Sequence, residues 1–168
     1  KVKRTTDLTI KHIWQEDKGF RKCKILNKAI CAAESDYLVF SDGDCIPRSD
    51  FLKAHLAKRK EGYYLSGGYF KLPMNISKII TEYDVASGRC FNINWLKKNG
   101  LPACSFKTSK LILKGVSANL LNTFTTTNDS WNGHNSSAWK KDILTVNAFD
   151  ERMRYGSEDR EFGERLMN

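Results

Sequence analysis

Apolar positions fall into short, separated groups along the chain, and the spacing within each group predicts an element. Leu8 to Trp14 has alternating and β-branched character and reads as a strand, which Gly19 ends. From Phe20 to Ala33, the residues Leu26, Ala29, Ile30 and Ala33 recur at i, i+3, i+4 and i+7, while Lys22, Lys24 and Lys28 take the other faces. That pattern predicts an amphipathic helix. Asp36 then opens Tyr37-Leu38-Val39-Phe40, an apolar run without polar alternation, as expected of a strand covered on both faces of a parallel sheet. Pro47 and Ser49 announce a helix, with Ser49 as N-cap and Phe51, Leu52, His55 and Leu56 on its inner face.

Tyr63 to Leu72 reads as another strand, in which Gly67-Gly68 marks a bend or a close backbone approach. Asn75 to about Ala86 is helical in pattern, with Ile76, Ile79, Ile80 and Tyr83 on one face. The signal degrades from Ser87 to Thr127, a stretch read as a variable insert of loops and short helices. Ser137 to Val146 and Ser157 to Met167 predict two further helices. The order strand, helix, strand, helix predicts an α/β fold.

Composition changes this picture little. The 168 residues suit one domain, and 40% hydrophobic with 28% charged residues is ordinary for a globular protein. No apolar run approaches the roughly 18 residues of a membrane span. Lys1 to Thr5 is basic, but no apolar stretch follows it as a secretory signal requires. The five cysteines (Cys23, Cys31, Cys45, Cys90, Cys104) form no CxxC pair, so neither a zinc site nor a disulfide framework is indicated, and scattered thiols suit the cytoplasm. The formal charge of +9 favours anionic partners without choosing among nucleic acid, an anionic membrane face and phosphorylated small molecules.

Three constellations carry candidate chemistry. Asp42-Gly43-Asp44 places two carboxylates at i and i+2 just past the end of the apolar run, where open α/β sheets bind ligands. Hard oxygen ligands of this kind suit Mg²⁺ or Mn²⁺ carrying a diphosphate. Asp-Gly is also a common turn signal, so the triplet has a purely structural reading as well. Tyr155-Gly156-Ser157-Glu158-Asp159-Arg160-Glu161 sets acids at a helix start, which the helix dipole alone favours. Trp14 to Lys22, followed by Lys24 and Asn27, is either a glycine-preceded anion site or a plain polar turn.

Taken together, HIWQEDKGFRKCKILNKAI, DYLVFSDGDCIPRSDFL, NSSAWKKDILTVNAFDERM and YGSEDREFGERL resemble the bacterial family 2 glycosyltransferases. Within that family they are most similar to the branch with a galactosyltransferase-like C-terminal part. The resemblance implies a GT-A fold, Rossmann-like, with a mostly parallel sheet flanked by helices. It implies an inverting, metal-dependent transfer from a nucleoside diphosphate sugar, with UDP-sugars the donors the family favours, to a hydroxyl of a saccharide or lipid-linked acceptor in surface polysaccharide or lipopolysaccharide synthesis. Asp44 and Asp42 match the acids that bind Mn²⁺ or Mg²⁺ and lie against the donor ribose. Lys24 and Asn27 match positions that approach the nucleotide, and Asn135 and Trp139 lie in the block lining the donor-sugar pocket. Glu158-Asp159 matches the family's acid pair, in which the Asp is the general base.

On this resemblance, residues 1–72 form the metal and nucleotide half, 73–134 a variable acceptor-side insert, and 135–168 the donor-sugar and catalytic-base segment. The family's opening strands, which hold the base, have no counterpart here; at 30 or more residues per βαβ unit, on the order of 60 residues are missing from the front. A further His ligand of the family is expected beyond Asn168. The resemblance implies a cytoplasmic enzyme without a nucleic-acid partner, and the +9 charge allows peripheral contact with the inner membrane face. Two other classes were weighed against it. A non-catalytic basic module for nucleic acid or anionic lipid suits the charge and Trp95-Leu96-Lys97-Lys98, but leaves both acidic pairs without a role. A metal-dependent phosphohydrolase uses the same carboxylates but releases its product without transfer.

Overall fold

The computed structural model describes residues 7–102 and 130–167. Gly19, at φ +77 in the left-handed region, turns the chain into helix α1, Lys22–Ala32. Cys23 and Ile30, two turns apart on one face, are its buried residues. Strand β1 (Tyr37–Phe40), helix α2 (Phe51–Lys58), strand β2 (Leu65–Ser66) and helices α3 (Met74–Ser77) and α4 (Glu82–Ala86) follow. A 3₁₀ turn at Arg89–Phe91 leads to α5 (Ile93–Lys98). Strand β3 (Ser136–Trp139), helix α6 (Lys140–Thr145) and helix α7 (Glu158–Met167) complete the described chain.

The chain is therefore mixed α/β, but its described sheet is not the mostly parallel one expected. Three strands lie in the order β1-β3-β2, and β3 is antiparallel to both neighbours. Tyr37 pairs with Trp139, Phe40 with Ser136, and Ser66 also with Ser136. The apolar run of β1 is half-buried throughout, because β3 pairs with it on one side only.

Several predicted elements change in a physically informative way. Leu8 to Trp14 forms no strand: no described strand pairs with it, and Leu8 and Trp14 are largely exposed. Ser137 to Trp139 is strand rather than helix, since Ser136, Ser137 and Ala138 are buried between β1 and β2. The predicted strand 63–72 shrinks to two residues. Helix α2 begins after Asp50 rather than Ser49, and turns Phe51 and His55 inward while Leu52 and Leu56 stay exposed. The helix predicted over 75–86 splits at Thr81. There the Thr81 hydroxyl accepts the Asp84 N–H, and Asp84 accepts the Thr81 N–H at 3.0 Å, a capping box that starts α4 afresh. Of the region read as a variable insert, 87–102 forms short helices as expected, and the rest lies outside the described residues.

Two apolar clusters hold the described chain. Ile76, Leu96 and Leu101 centre a small one, with Phe70, Leu72, Ile80, Ile93 and Trp95 around it. The larger joins α1, the sheet, α6 and α7 through Trp131, Phe149 and Phe162. Phe149 stacks on Phe162 at 4.0 Å between centroids, and Trp131 meets Phe162 edge-on at 4.8 Å. This aromatic contact fixes the start of α7 against the 131–135 loop. Gly163 makes the contact possible, since a Cβ there would lie 2.7 Å from the Trp131 backbone nitrogen. Alanine is normally the better helix former by about 1 kcal/mol. Here the sign reverses: Gly163→Ala is expected to lower stability by about 1–3 kcal/mol through overpacking, read from chemical denaturation. A gain in stability would mean that α7 and Trp131 are not in contact.

Candidate functional site

The site is built on the start of α7. Glu158 and Asp159 open this helix, and Lys22, the first residue of α1, reaches both. The Lys22 ammonium lies 3.3 Å from Asp159 Oδ2 and 3.5 Å from Glu158 Oε1. The Gly133 N–H donates to Asp159 Oδ2 at 3.1 Å. A Cβ on Gly133 would stand 2.9 Å from that oxygen and 3.2 Å from Lys22 Nζ, so the loop backbone lies close against the ion pair.

The two acids of the pair differ. Glu158 is buried and accepts the Gly156 N–H at 2.9 Å. Burial alone would raise its pKa, but its own N–H, that of Gly156 and the Lys22 ammonium outweigh this and hold it below the usual carboxylate value. The Asp159 side chain is 29% accessible against 9% for Glu158, so Asp159 is the acid that a solvent-borne ligand reaches. The sequence reading gave both acids catalytic roles; the geometry makes Glu158 an internal member of the cluster.

Asp42 and Asp44 follow β1, both exposed. Gly43 and Asp44 form a turn rather than continuing as extended backbone, and the Cys45 N–H closes it on the Asp42 carbonyl at 3.2 Å. Asp42 lies close enough to act on Lys22. Burial pushes the ammonium's pKa down, yet Asp159, Asp42 and Glu158 together raise it above the ordinary lysine value. Asp42 thus adds to the field that Lys22 feels, while the lysine's contacts are with Asp159 and Glu158. Among the described residues, no group of three or more His, Cys, Asp or Glu side chains converges into a closed metal cage. Two exposed carboxylates on a turn do fit a Mg²⁺ or Mn²⁺ ion that arrives with a diphosphate and keeps most of its other ligands.

The remaining predicted residues divide. Lys24 is exposed on α1. Asn27 is spent on structure: its amide donates to the Phe149 carbonyl at 2.8 Å, and its oxygen accepts the Phe149 N–H at 3.0 Å. It ties α1 to the 149–151 loop through both ends of its amide, with Nδ2 donating also to Glu151 at 3.2 Å. Trp139 pairs with Tyr37, at the end of β1 away from Asp42 and roughly 10 Å along the strand from Phe40. Its ring packs edge-on against Tyr37 at 5.2 Å. Asn135 lies at the Asp42 end, before Ser136, which pairs with Phe40.

Asn135 belongs to a directed hydrogen-bond chain. Its Nδ2 donates to the Gly68 carbonyl at 2.9 Å, which turns Oδ1 toward His55 Nε2 at 3.0 Å. His55 must then carry its proton on Nε2 and accept the Ser137 hydroxyl at Nδ1, 2.6 Å away, while Ser137 Oγ accepts the Tyr37 hydroxyl at 2.7 Å. Ser137 and His55 resemble a nucleophile and its base, but Ser137 is fully buried, so the chain is structural. The Gly67-Gly68 approach expected from sequence is real: a Cβ on Gly67 would lie 2.3 Å from Asn135 Nδ2.

Burial is the larger influence on His55 and lowers its pKa, against the opposing pull of Asn135. The native state therefore binds its proton less readily than the unfolded chain. His55 contributes stability that is present above the ordinary histidine value of 6.5 and lost as pH falls below it. The acid side of the melting profile should flatten in His55→Gln. That variant should also lose about 1–3 kcal/mol at neutral pH, as Ser137 or Asn135 is left unpaired. An unchanged acid slope would show that His55 does not titrate on unfolding.

Sequence reading missed Gly133, and met Lys22 only as one residue of the candidate anion site from Trp14 to Lys22. The glycine had a signal, the turn dipeptide Asn132-Gly133, though that predicts the turn and not the contact with Asp159. A shallow hollow of ≈ 290 Å³ lined by Trp14, Glu16, Asp17 and Ile25 lies beside α1, but none of the four acids lines it. No helix among the described residues is long and apolar enough to cross a membrane. No protein-family model matches the chain, and no match is found among curated proteins.

Proposed function

We propose that the chain is the catalytic part of an inverting glycosyltransferase of GT-A type, transferring a sugar from a nucleoside diphosphate sugar to an acceptor hydroxyl with the help of Mg²⁺ or Mn²⁺. The observation that carries this reading is the accessible Asp159 carboxylate at the start of α7, held by Lys22 at 3.3 Å and by the Gly133 N–H at 3.1 Å as a positioned base would be. Such transfer needs a diphosphate-binding acid turn and a carboxylate base within one cleft. The resemblance of the four sequence blocks to family 2 supports the same assignment.

In this mechanism Asp42 and Asp44 would hold the ion, which would supply Lewis-acid stabilisation of the diphosphate. Asp159 takes the proton of the acceptor hydroxyl. The acceptor oxygen bonds to the anomeric carbon from the face opposite the diphosphate, whose oxygen leaves with the electron pair of the broken bond, and configuration inverts. Gly133 keeps Asp159 aimed through its N–H, and Glu158 braces the start of α7 through Gly156. The +9 charge favours both the anionic donor and an anionic inner leaflet bearing lipid-linked acceptors.

A thermal-shift panel of nucleoside diphosphate sugars, each with and without Mn²⁺, tests donor binding, because a ligand of the native state raises the melting temperature by mass action. A metal-dependent rise with at least one donor is expected. Stabilisation by RNA or anionic vesicles alone, without any nucleotide response, would favour a basic binding module instead.

A further inference from the structure

Lys22 differs from the other lysines that form ion pairs among the described residues. Lys11, Lys18 and Lys141 each dock on one exposed carboxylate at 2.7–2.8 Å. Lys22 stands at 3.3–3.5 Å from oxygens of two acids and is only 27% accessible. It is shared rather than docked, and it is less screened by water than the surface pairs. Its backbone opens α1, which the burial of Cys23 and Ile30 anchors in the larger core. Its ammonium is confined by the Gly133 loop, with 3.2 Å between Nζ and the place of an absent Cβ.

We propose that Lys22 is the positioning residue of this site: it holds the Asp159 carboxylate against the Gly133 loop. This rests on the transferase reading. Lys22 itself touches neither the transferred proton nor the anomeric carbon; it acts through Asp159. Loss of such aim falls on the chemical step, so kcat suffers more than donor KM.

The test compares Lys22→Met and Lys22→Arg with wild type in the full-length protein. Lys22→Met is expected to lower kcat about 10²-fold with donor KM within about threefold. Lys22→Arg, which keeps the charge, is expected to recover kcat to within about tenfold of wild type. A kcat for Lys22→Met within threefold of wild type, or an equal fall in both variants, would overturn the inference. A second readout needs no activity. Lys22→Met should lower Tm by about 2–4 °C in wild-type protein, since it leaves Glu158 buried without its cation, and should not do so in the Glu158→Gln/Asp159→Asn background. An equal Tm loss in both backgrounds would also overturn it. Absence of transfer by wild-type protein, with this coupling intact, would sink the transferase reading and leave the Lys22 contact network standing.

Discussion

Asp159→Asn is expected to lower turnover by about 10² to 10⁴, the usual contribution of general-base catalysis. Asparagine keeps the size of the side chain and can still accept the Gly133 N–H, now 3.1 Å from Asp159 Oδ2, but it cannot take the acceptor's proton. Donor affinity and its Mn²⁺ dependence should change little, because the lost interaction belongs to the transition state. Calorimetric donor binding measured beside turnover separates the two. Glu158→Gln should behave differently, since Glu158 is buried and bonded to Gly156 and Lys22. Its main effect is on the stability of the α7 start, read as a fall in melting temperature, with a smaller loss of rate. Asp159→Asn turning over within a few-fold of wild type would assign the base to another residue.

The second large effect falls on the other acid turn. Asp44→Ala is expected to reduce Mn²⁺-promoted nucleotide binding by at least about 10²-fold, down to the metal-free level, because Asp42 alone cannot hold the ion against its hydration shell. Both carboxylates are exposed on a turn that supplies no further side-chain ligand from a closed cage among the described residues, so no neighbour compensates. Stability should be nearly unaffected, as expected for a surface substitution. Titrating nucleoside diphosphate with and without Mn²⁺ reads the difference. Unchanged metal-dependent affinity would place the ion elsewhere.

What was legible in the sequence is what local chemistry decides. Helix α1 follows from its apolar spacing, α7 from an acidic start before an apolar face, and the end of β1 from Phe40 giving way to Ser41-Asp42-Gly43. The close approach at Gly67 was legible because only glycine leaves room for a neighbour such as Asn135. What failed depends on partners distant in sequence. Ser136 to Trp139 becomes a strand because β1 and β2, some 70 to 100 residues earlier, pair on either side of it. Leu8 to Trp14 has strand-like residues and no such partner. The split at Thr81 could have been read, since Thr-x-x-Asp is a capping signature, but the apolar period across it masked the break.

The site divides along the same line. Acids before a helix and after a strand announce themselves, but that one lysine contacts both Glu158 and Asp159 does not. Lys22 was legible as part of a basic turn, but its partner Asp159 was not, because the contact spans 137 positions. Asn27 and Trp139 went the other way: resemblance places them at the donor, while their hydrogen bonds and packing are those of structural residues.

The central claim is transfer with inversion from a nucleoside diphosphate sugar. The most direct measurement incubates the full-length protein with Mn²⁺, α-linked nucleoside diphosphate sugars and saccharide acceptors, and reads the anomeric configuration of the product by NMR. The account predicts a new β-linked glycoside formed in step with release of nucleoside diphosphate. An α-linked product, or release of free sugar or phosphate with no glycoside formed, would contradict it.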